Sequence, residues 1–191
     1  MTWATLYMEP NSGRSNWISD LGKYVGLDIE SVDVKTVDNY KELFQLGKTP
    51  ALITSDGFKL TEAVVIYVYI INSSSKPEFL GKNLKEKATN MKWLSFFNSD
   101  FIFAFIQAFF GTTDNDKSSG MEKIYNYTEY FNNELKEKKT KYLISDEILV
   151  ADIVAYKIFH QFSIFGLSYD KYNKIAPYLE SLKNHPILAP K

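Results

Sequence analysis

Hydrophobic positions follow a period of two in some stretches of this chain and a helical period in others, and the switches between them lay out the elements. Residues 3–8 alternate bulky with small or polar side chains, the pattern of a strand. Glu9, Pro10, Asn11, Ser12 and Gly13 are dense in turn formers. Trp17, Ile18, Leu21, Tyr24 and Val25 then recur at helical spacing, and Gly26 is placed to close that helix. Residues 27–37 alternate again as a half-buried strand, and residues 41–46 form a short helical or irregular link. Pro50 stands before Ala51, Leu52 and Ile53, where a strand begins and needs no ladder N–H. Ser55, Asp56 and Gly57 predict a tight hairpin, with residues 58–60 as the return strand. Thr61 suits a helix N-cap, with Glu62 in the first turn, where the helix dipole favours a carboxylate. Residues 63–71 continue as an apolar helix, so the first half reads βαβ followed by ββα.

Residues 72–77 are polar and break the pattern. The predicted division is a first domain over 1–75, a linker over 76–84 and a second domain over 85–191. No strand pattern follows. Residues 84–110 predict one long helix, straight or bent, with Met91, Leu94, Phe97, Phe101, Phe105 and Ala108 in one stripe. Residues 111–120 read as a loop, 121–135 as an amphipathic helix and 149–165 as a buried central helix. A last helix is predicted over 178–183, after Pro177 and before His185 and Pro186.

Composition narrows the classes. The 191 residues carry a net charge of −1, and the nearest approach to a basic tract is the short run 136–139, interrupted by Glu137. That is no footprint for nucleic acid. Cysteine is absent, which removes disulfides, thiolate zinc sites and Cys-x-x-Cys redox chemistry together. The first ten residues show no basic and apolar signal pattern, and no unbroken apolar run approaches the roughly 20 residues that span a bilayer. The expectation is a cytoplasmic protein without membrane insertion.

The order of Thr49, Pro50, hairpin and Glu62 resembles the second half of the thioredoxin-like domain in the glutathione transferase superfamily. A thioredoxin-like α/β domain followed by an all-helical domain is that family's architecture, and the resemblance covers essentially the whole chain. It implies a cis Thr49–Pro50 bond, with Thr49 offering its backbone to the extended glutathione peptide as an added strand would. In the family, Glu followed by Ser or Thr holds the γ-glutamyl carboxylate; here Glu62 is followed by Ala63. Losing a donor to a charged group costs about 1.5–3 kcal/mol. The run Leu149-Val150-Ala151-Asp152 resembles the family's Ser/Thr-x-x-Asp capping box with its first half missing, at a cost of about 1 kcal/mol.

Several segments look like the fungal gamma subunit of translation elongation factor 1: Thr5-Leu6-Tyr7, residues 59–63, Trp93-Leu94-Ser95 with Asn98-Ser99-Asp100, and Ala151-Asp152. In that subgroup Glu-Ala commonly replaces Glu-Ser. This resemblance implies a non-catalytic scaffold that forms a homodimer and anchors the guanine-nucleotide-exchange subunit in translation elongation. No cofactor is then required, and glutathione is a candidate ligand at vestigial positions Thr49, Pro50, Glu62, Ala63 and Arg14. The alternative is an active glutathione transferase conjugating glutathione to electrophiles, with its many Phe and Tyr side chains lining an apolar pocket.

An active transferase needs a hydroxyl or thiol to stabilise the thiolate. Ser12 lies where serine-type members place theirs, although Asn-Ser-Gly is also ordinary turn chemistry. Tyr7 is the tyrosine-type alternative, or a core tyrosine. Arg14 either approaches a carboxylate or a partner or is solvated, and Asp100 either faces a ligand, by resemblance, or is a hydrogen-bonded interior acid or the mark of a helix bend. His160 and His185 have no partners at metal-ligand spacing, and no GxxxxGK[ST] phosphate loop is present.

Overall fold

The computed structural model describes residues 2–188. They form two compact units, one running to Lys82 and joined by the segment from His185 onward, the other spanning Asn83–Asn184. The first is a thioredoxin-like α/β unit and the second is all-helical.

In the first unit β1 (Ala4–Met8), β2 (Ile29–Asp33), β3 (Ala51–Thr54) and β4 (Lys59–Thr61) make one sheet in the order β2-β1-β3-β4. β1 runs parallel to β2 and antiparallel to β3, which is antiparallel to β4. The alternation in β1 sorts its two faces. Ala4, Leu6 and Met8 are buried on one side with the helices α1 (Ile18–Val25) and α3 (Ala63–Asn72). Tyr7, Ala51 and Ile53 point the other way, onto Tyr40 and Phe44 around the short α2 (Tyr40–Leu43). Gly26 takes φ 85° and caps α1 by donating to the carbonyls of Gly22 and Lys23, as expected of a left-handed terminus. The second strand is shorter than its alternating pattern, because Asp33 caps a 3-10 turn over Val34–Thr36 that ends the pairing.

The chain's last described turn returns to this unit. His185 lies with its ring 4.8 Å from Tyr24 and stacked on Phe79, and its Nδ1 accepts from the Ile187 N–H. Lys76 sits over the Tyr24 ring nearby. Burial, reinforced by the Lys76 charge, pushes the His185 pKa down to about 4.

In the second unit the predicted long helix exists but is interrupted. α4 (Leu84–Phe96) passes through a π-turn at Phe97–Phe101 into α5 (Ile102–Phe110). The bend falls where Phe97 and Phe101 are both fully buried against Phe131, Phe159 and Phe162. Met91, expected in the buried stripe, is instead exposed, and Asn90 takes the inward position. Asp100 is exposed at the bend, so it is not an interior acid. The stretch Leu84–Phe110 is long and apolar enough, by length and composition, to cross a membrane. Unbroken runs underestimate it, because polar residues such as Asn98, Ser99, Asp100 and Gln107 interrupt the runs while the most apolar part of the helix keeps a high mean hydropathy. Within this unit it serves as a core helix, with Trp93, Leu94, Phe97 and Phe101 buried.

The expected loop over 111–120 is mostly helix. Thr113 and Asp116 form a reciprocal capping box, and α6 runs from there over Asp114–Glu137. Gly120 permits this, since a Cβ there would meet the Ala108 backbone at 2.3 Å where α5 and α6 touch. α7 (Val150–Ile164) is the buried central helix, and α8 (Ile175–Leu182) begins before Pro177 rather than after it. Proline is tolerated there because first-turn N–H groups have no intrahelical partner.

The incomplete capping box of α7 is completed by tertiary partners. Leu149 lacks a side-chain oxygen, so the Asp152 N–H donates to the Leu149 carbonyl and the Ala151 N–H donates to Asn90 Oδ1 from α4. The fully buried Asp152 carboxylate accepts from the Leu149 and Leu143 N–H groups and from the Tyr178 hydroxyl. Burial raises its pKa despite these donors.

Replacing Asp152 with Ala strands two buried N–H groups and one hydroxyl, and is expected to cost about 3 kcal/mol or more in urea unfolding. For His185 the folded state resists protonation, so the unfolded chain takes up the proton first. Stability is therefore expected to fall as pH drops from 6.5 to about 4, by about 2–3 kcal/mol. Melting curves of His185→Phe across that range should show this fraction of the decline removed.

Candidate functional site

The strand register gathers the site. Tyr7 at the end of β1 is opposite Ala51, and Ala51 is opposite Thr61. The β1–α1 turn, the Thr49–Pro50 step into β3 and the β4–α3 junction therefore lie at one end of one sheet. All belong to the first unit.

Residues 9–17 make the first wall, as a tightly bonded turn. The Ser12 N–H donates to the Glu9 carbonyl, and the Ser12 carbonyl accepts from Ser15 and Asn16, each at 3.0 Å. The Trp17 indole N–H donates to the Gly13 carbonyl at 3.2 Å. From α3 the Tyr67 hydroxyl donates to the Arg14 carbonyl, and its ring packs 4.8 Å from Trp17. Burial raises the Tyr67 pKa, so the hydroxyl remains a donor at any ordinary pH. Ser12 is half-buried in this turn, and its hydroxyl makes no hydrogen bond to another described residue. Arg14 is half-buried in the same turn.

Two residues that the sequence reading passed over also lie here. Ser15 is fully buried with its Oγ unpartnered among the described residues, and the Asn16 Oδ1 is buried and unpartnered too. An unmet buried polar group costs about 1–3 kcal/mol. The only signal available was a Ser-Asn pair just before a helix, which reads equally well as helix capping.

Tyr7 is placed elsewhere. Its ring packs 5.8 Å from Tyr40 and 5.9 Å from Phe44, on the sheet face toward α2. Tyr40 in turn fastens the approach to β3 by donating to the Lys48 carbonyl at 2.8 Å. Tyr7 is thus a packing residue of that face.

The second wall comes from Thr49, Pro50, Glu62 and Ala63. The Thr49–Pro50 bond is cis, as the resemblance implied. The helix start differs from the expectation in one respect. Thr61 is not the N-cap: pairing with Ala51 holds it extended as the last residue of β4. Glu62 takes the N-cap position instead, at φ 71° and ψ 114°, and its side chain makes no capping bond. Positive φ at a non-glycine residue costs about 1–3 kcal/mol and is kept where the surroundings enforce it. Glu62 is exposed and immediately precedes the unshared first N–H groups of α3, whose first internal bond runs from the Ile66 N–H to the Glu62 carbonyl. Ala63, the first residue of α3, is fully buried and brings no hydroxyl.

This junction offers a negative group and a helix N-terminus side by side. The first attracts an ammonium and the second a carboxylate. The arrangement complements the zwitterionic end of an amino acid, at the same end of the sheet as the turn that carries Ser12.

Comparison with known proteins agrees with the geometry. Residues 4–72 match the glutathione S-transferase N-terminal domain and residues 99–190 the glutathione S-transferase C-terminal domain. Glutathione S-transferase Y-2 of Pichia kudriavzevii is 40% identical over 98% of this chain and 98% of its own length. The crystal structure of a glutathione S-transferase from that organism superposes with a TM-score of 0.86 at 41% identity, covering 98% of this chain and 95% of that one. The chain belongs to the glutathione transferase family.

The expectation of an elongation factor 1 gamma scaffold is overturned by the same findings. Elongation factor 1-gamma 1 of Saccharomyces cerevisiae is more distant, at 31% identity over 87% of this chain and 43% of its own. The Glu62-Ala63 pair carried that expectation too far for a physical reason. Losing one hydroxyl leaves the backbone donors of the helix start and the Glu62 carboxylate in place. By the same reasoning, Ala63→Ser restores a donor and is expected to tighten glutathione binding about tenfold, measured by calorimetry.

Proposed function

We propose that this protein is an active glutathione transferase, using glutathione as co-substrate and adding its sulfur to an electrophile. The observation that carries the reading is Glu62, held at positive φ beside the open N-terminus of α3 at the same sheet end as the Ser12 turn. The γ-glutamyl end of glutathione is an amino acid with a free ammonium and a free carboxylate. Glu62 takes the ammonium, and the N–H groups that open α3 take the carboxylate. The extended peptide backbone then pairs with Thr49 as an added strand.

That placement leads the cysteinyl sulfur toward the β1–α1 turn. Ser12 presents a hydroxyl there that is not consumed by the fold. Donation from this hydroxyl stabilises the thiolate over the thiol, lowers the thiol pKa and supplies the nucleophile near neutral pH. The thiol proton leaves to solvent, and the serine stays a donor throughout.

Ser12→Ala is expected to lower kcat/KM for conjugation by about 10²-fold, with glutathione binding nearly unchanged, because the removed donor acts on the sulfur alone. Conjugation of 1-chloro-2,4-dinitrobenzene, followed spectrophotometrically over a glutathione titration, measures both. Turnover equal to the unmodified protein would remove Ser12 from the chemistry.

A further inference from the structure

The β1–α1 turn holds buried polar atoms that have no hydrogen-bond partner among the described residues. Ser15 is sealed from solvent and its Oγ has no hydrogen-bond partner among the described residues; the Asn16 Oδ1 is in the same condition. Buried hydroxyls and amides are nearly always paired, and an exception calls for a specific cause. Loose packing is not the cause here. The Ser12 carbonyl binds the N–H groups of Ser15 and Asn16, and the Ser15 carbonyl binds the Ile18 N–H at 3.1 Å. Trp17 and Tyr67 fasten the carbonyls of Gly13 and Arg14. The backbone of the turn is satisfied at these steps while the Ser15 hydroxyl is not. An alanine at position 15 would keep the same backbone without that unmet group.

We propose that Ser15 is a positioning residue for Ser12, and that its hydroxyl gains a partner only when the thiol peptide is bound. The inference rests on the reading of Ser12 as the donor to sulfur. Ser12 and Ser15 share one turn, joined by the Ser15 N–H to Ser12 carbonyl bond. When the Ser12 O–H turns toward the thiolate, its oxygen becomes a better acceptor. A change of the Ser15 rotamer then directs the second hydroxyl onto it. The result is a chain of donors, Ser15 to Ser12 to sulfur, that strengthens the last bond without breaking or forming any covalent one. The charged and titratable groups of the turn and of the elements beside it are Glu9 and Arg14 within the turn, Asp20 in the first turn of α1, Glu62 at the start of α3 and Tyr67 within α3, and Tyr67 stays protonated.

The test compares the unmodified protein, Ser15→Ala, Ser12→Ala and the double variant. It reads the pH dependence of kcat/KM for conjugation and the melting temperature of each. Ser15→Ala is expected to melt no lower than the unmodified protein, since it removes an unpaired group. Its thiol limb is expected to move up by about one pH unit, with activity near neutrality down about tenfold. In the Ser12→Ala background the same change is expected to add nothing. An unshifted profile, or an equal shift with and without Ser12, overturns the inference and leaves Ser12 standing. A Ser15→Ala protein that melts well below the unmodified one overturns it as well, because the native fold would then be using the hydroxyl. If Ser12→Ala leaves the profile unmoved, or the unmodified protein does not conjugate glutathione, the functional reading fails and this inference fails with it.

Discussion

The position of β3 between β1 and β4 is the constraint on which the site depends. Antiparallel pairing on both sides fixes Tyr7 opposite Ala51 and Ala51 opposite Thr61. A slip of one residue would turn Leu52 from the helical side of the sheet to the α2 side and expose what is now buried. Two fully buried leucines, Leu6 and Leu52, face each other across this register and make such a slip costly. The same pairing determines where α3 begins, because Thr61 is held in the strand and Glu62 must turn the chain in one residue. The left-handed backbone of Glu62 is the local consequence of a sheet-wide requirement.

The second unit depends on a different device. Its core is largely aromatic, with Phe97, Phe101, Phe131, Phe159 and Phe162 all fully buried. Apolar contact of that kind is strong but weak in direction, and several packings of similar rings have similar energy. Asp152 and Asn90 supply direction. Asn90 reaches from α4 to the first turn of α7, and Asp152 joins the start of α7 to Leu143 and to Tyr178 of α8. Each of these bonds fails if one helix shifts by a residue, so the polar knot selects one packing from those the rings allow.

The first unit gives up stability at the sheet end that carries the candidate site. Glu62 adopts a conformation that side chains rarely take, and Ser15 and Asn16 keep buried atoms unpaired. Elsewhere in the unit, local preference and tertiary contact agree: Gly26 ends α1, and the Ser55-Asp56-Gly57 segment turns between β3 and β4. Asn39 at the start of α2 also takes positive φ, which asparagine tolerates; agreement across most of the scaffold, with several departures at one sheet end, is the pattern expected where function outweighs stability.

Much of the architecture was readable before any coordinates. Period-two alternation and helical spacing, punctuated by Gly26, Pro50 and Asp56-Gly57, are local properties, and they placed the four strands and most helices. Ser12, Thr49, Pro50 and Glu62 were singled out by resemblance to the transferase family, and the cis Thr49–Pro50 bond agrees with it. The Glu62-Ala63 dipeptide, together with the segments resembling the elongation factor subgroup, led to a scaffold reading, because short residue matches do not disclose which backbone donors remain beside them. Tertiary structure alone decided the rest. It kept Thr61 in a strand, moved Tyr7 onto α2, exposed Met91 in favour of Asn90, and extended α6 through a segment whose polar composition resembled a loop. It also left the buried Ser15 Oγ without a hydrogen-bond partner among the described residues. The physical reason is the range of the forces: periodicity and turn preference act within a few residues and are written in sequence order. Register, bending and the satisfaction of a buried hydroxyl depend on atoms from distant segments, and exist only once those segments have met.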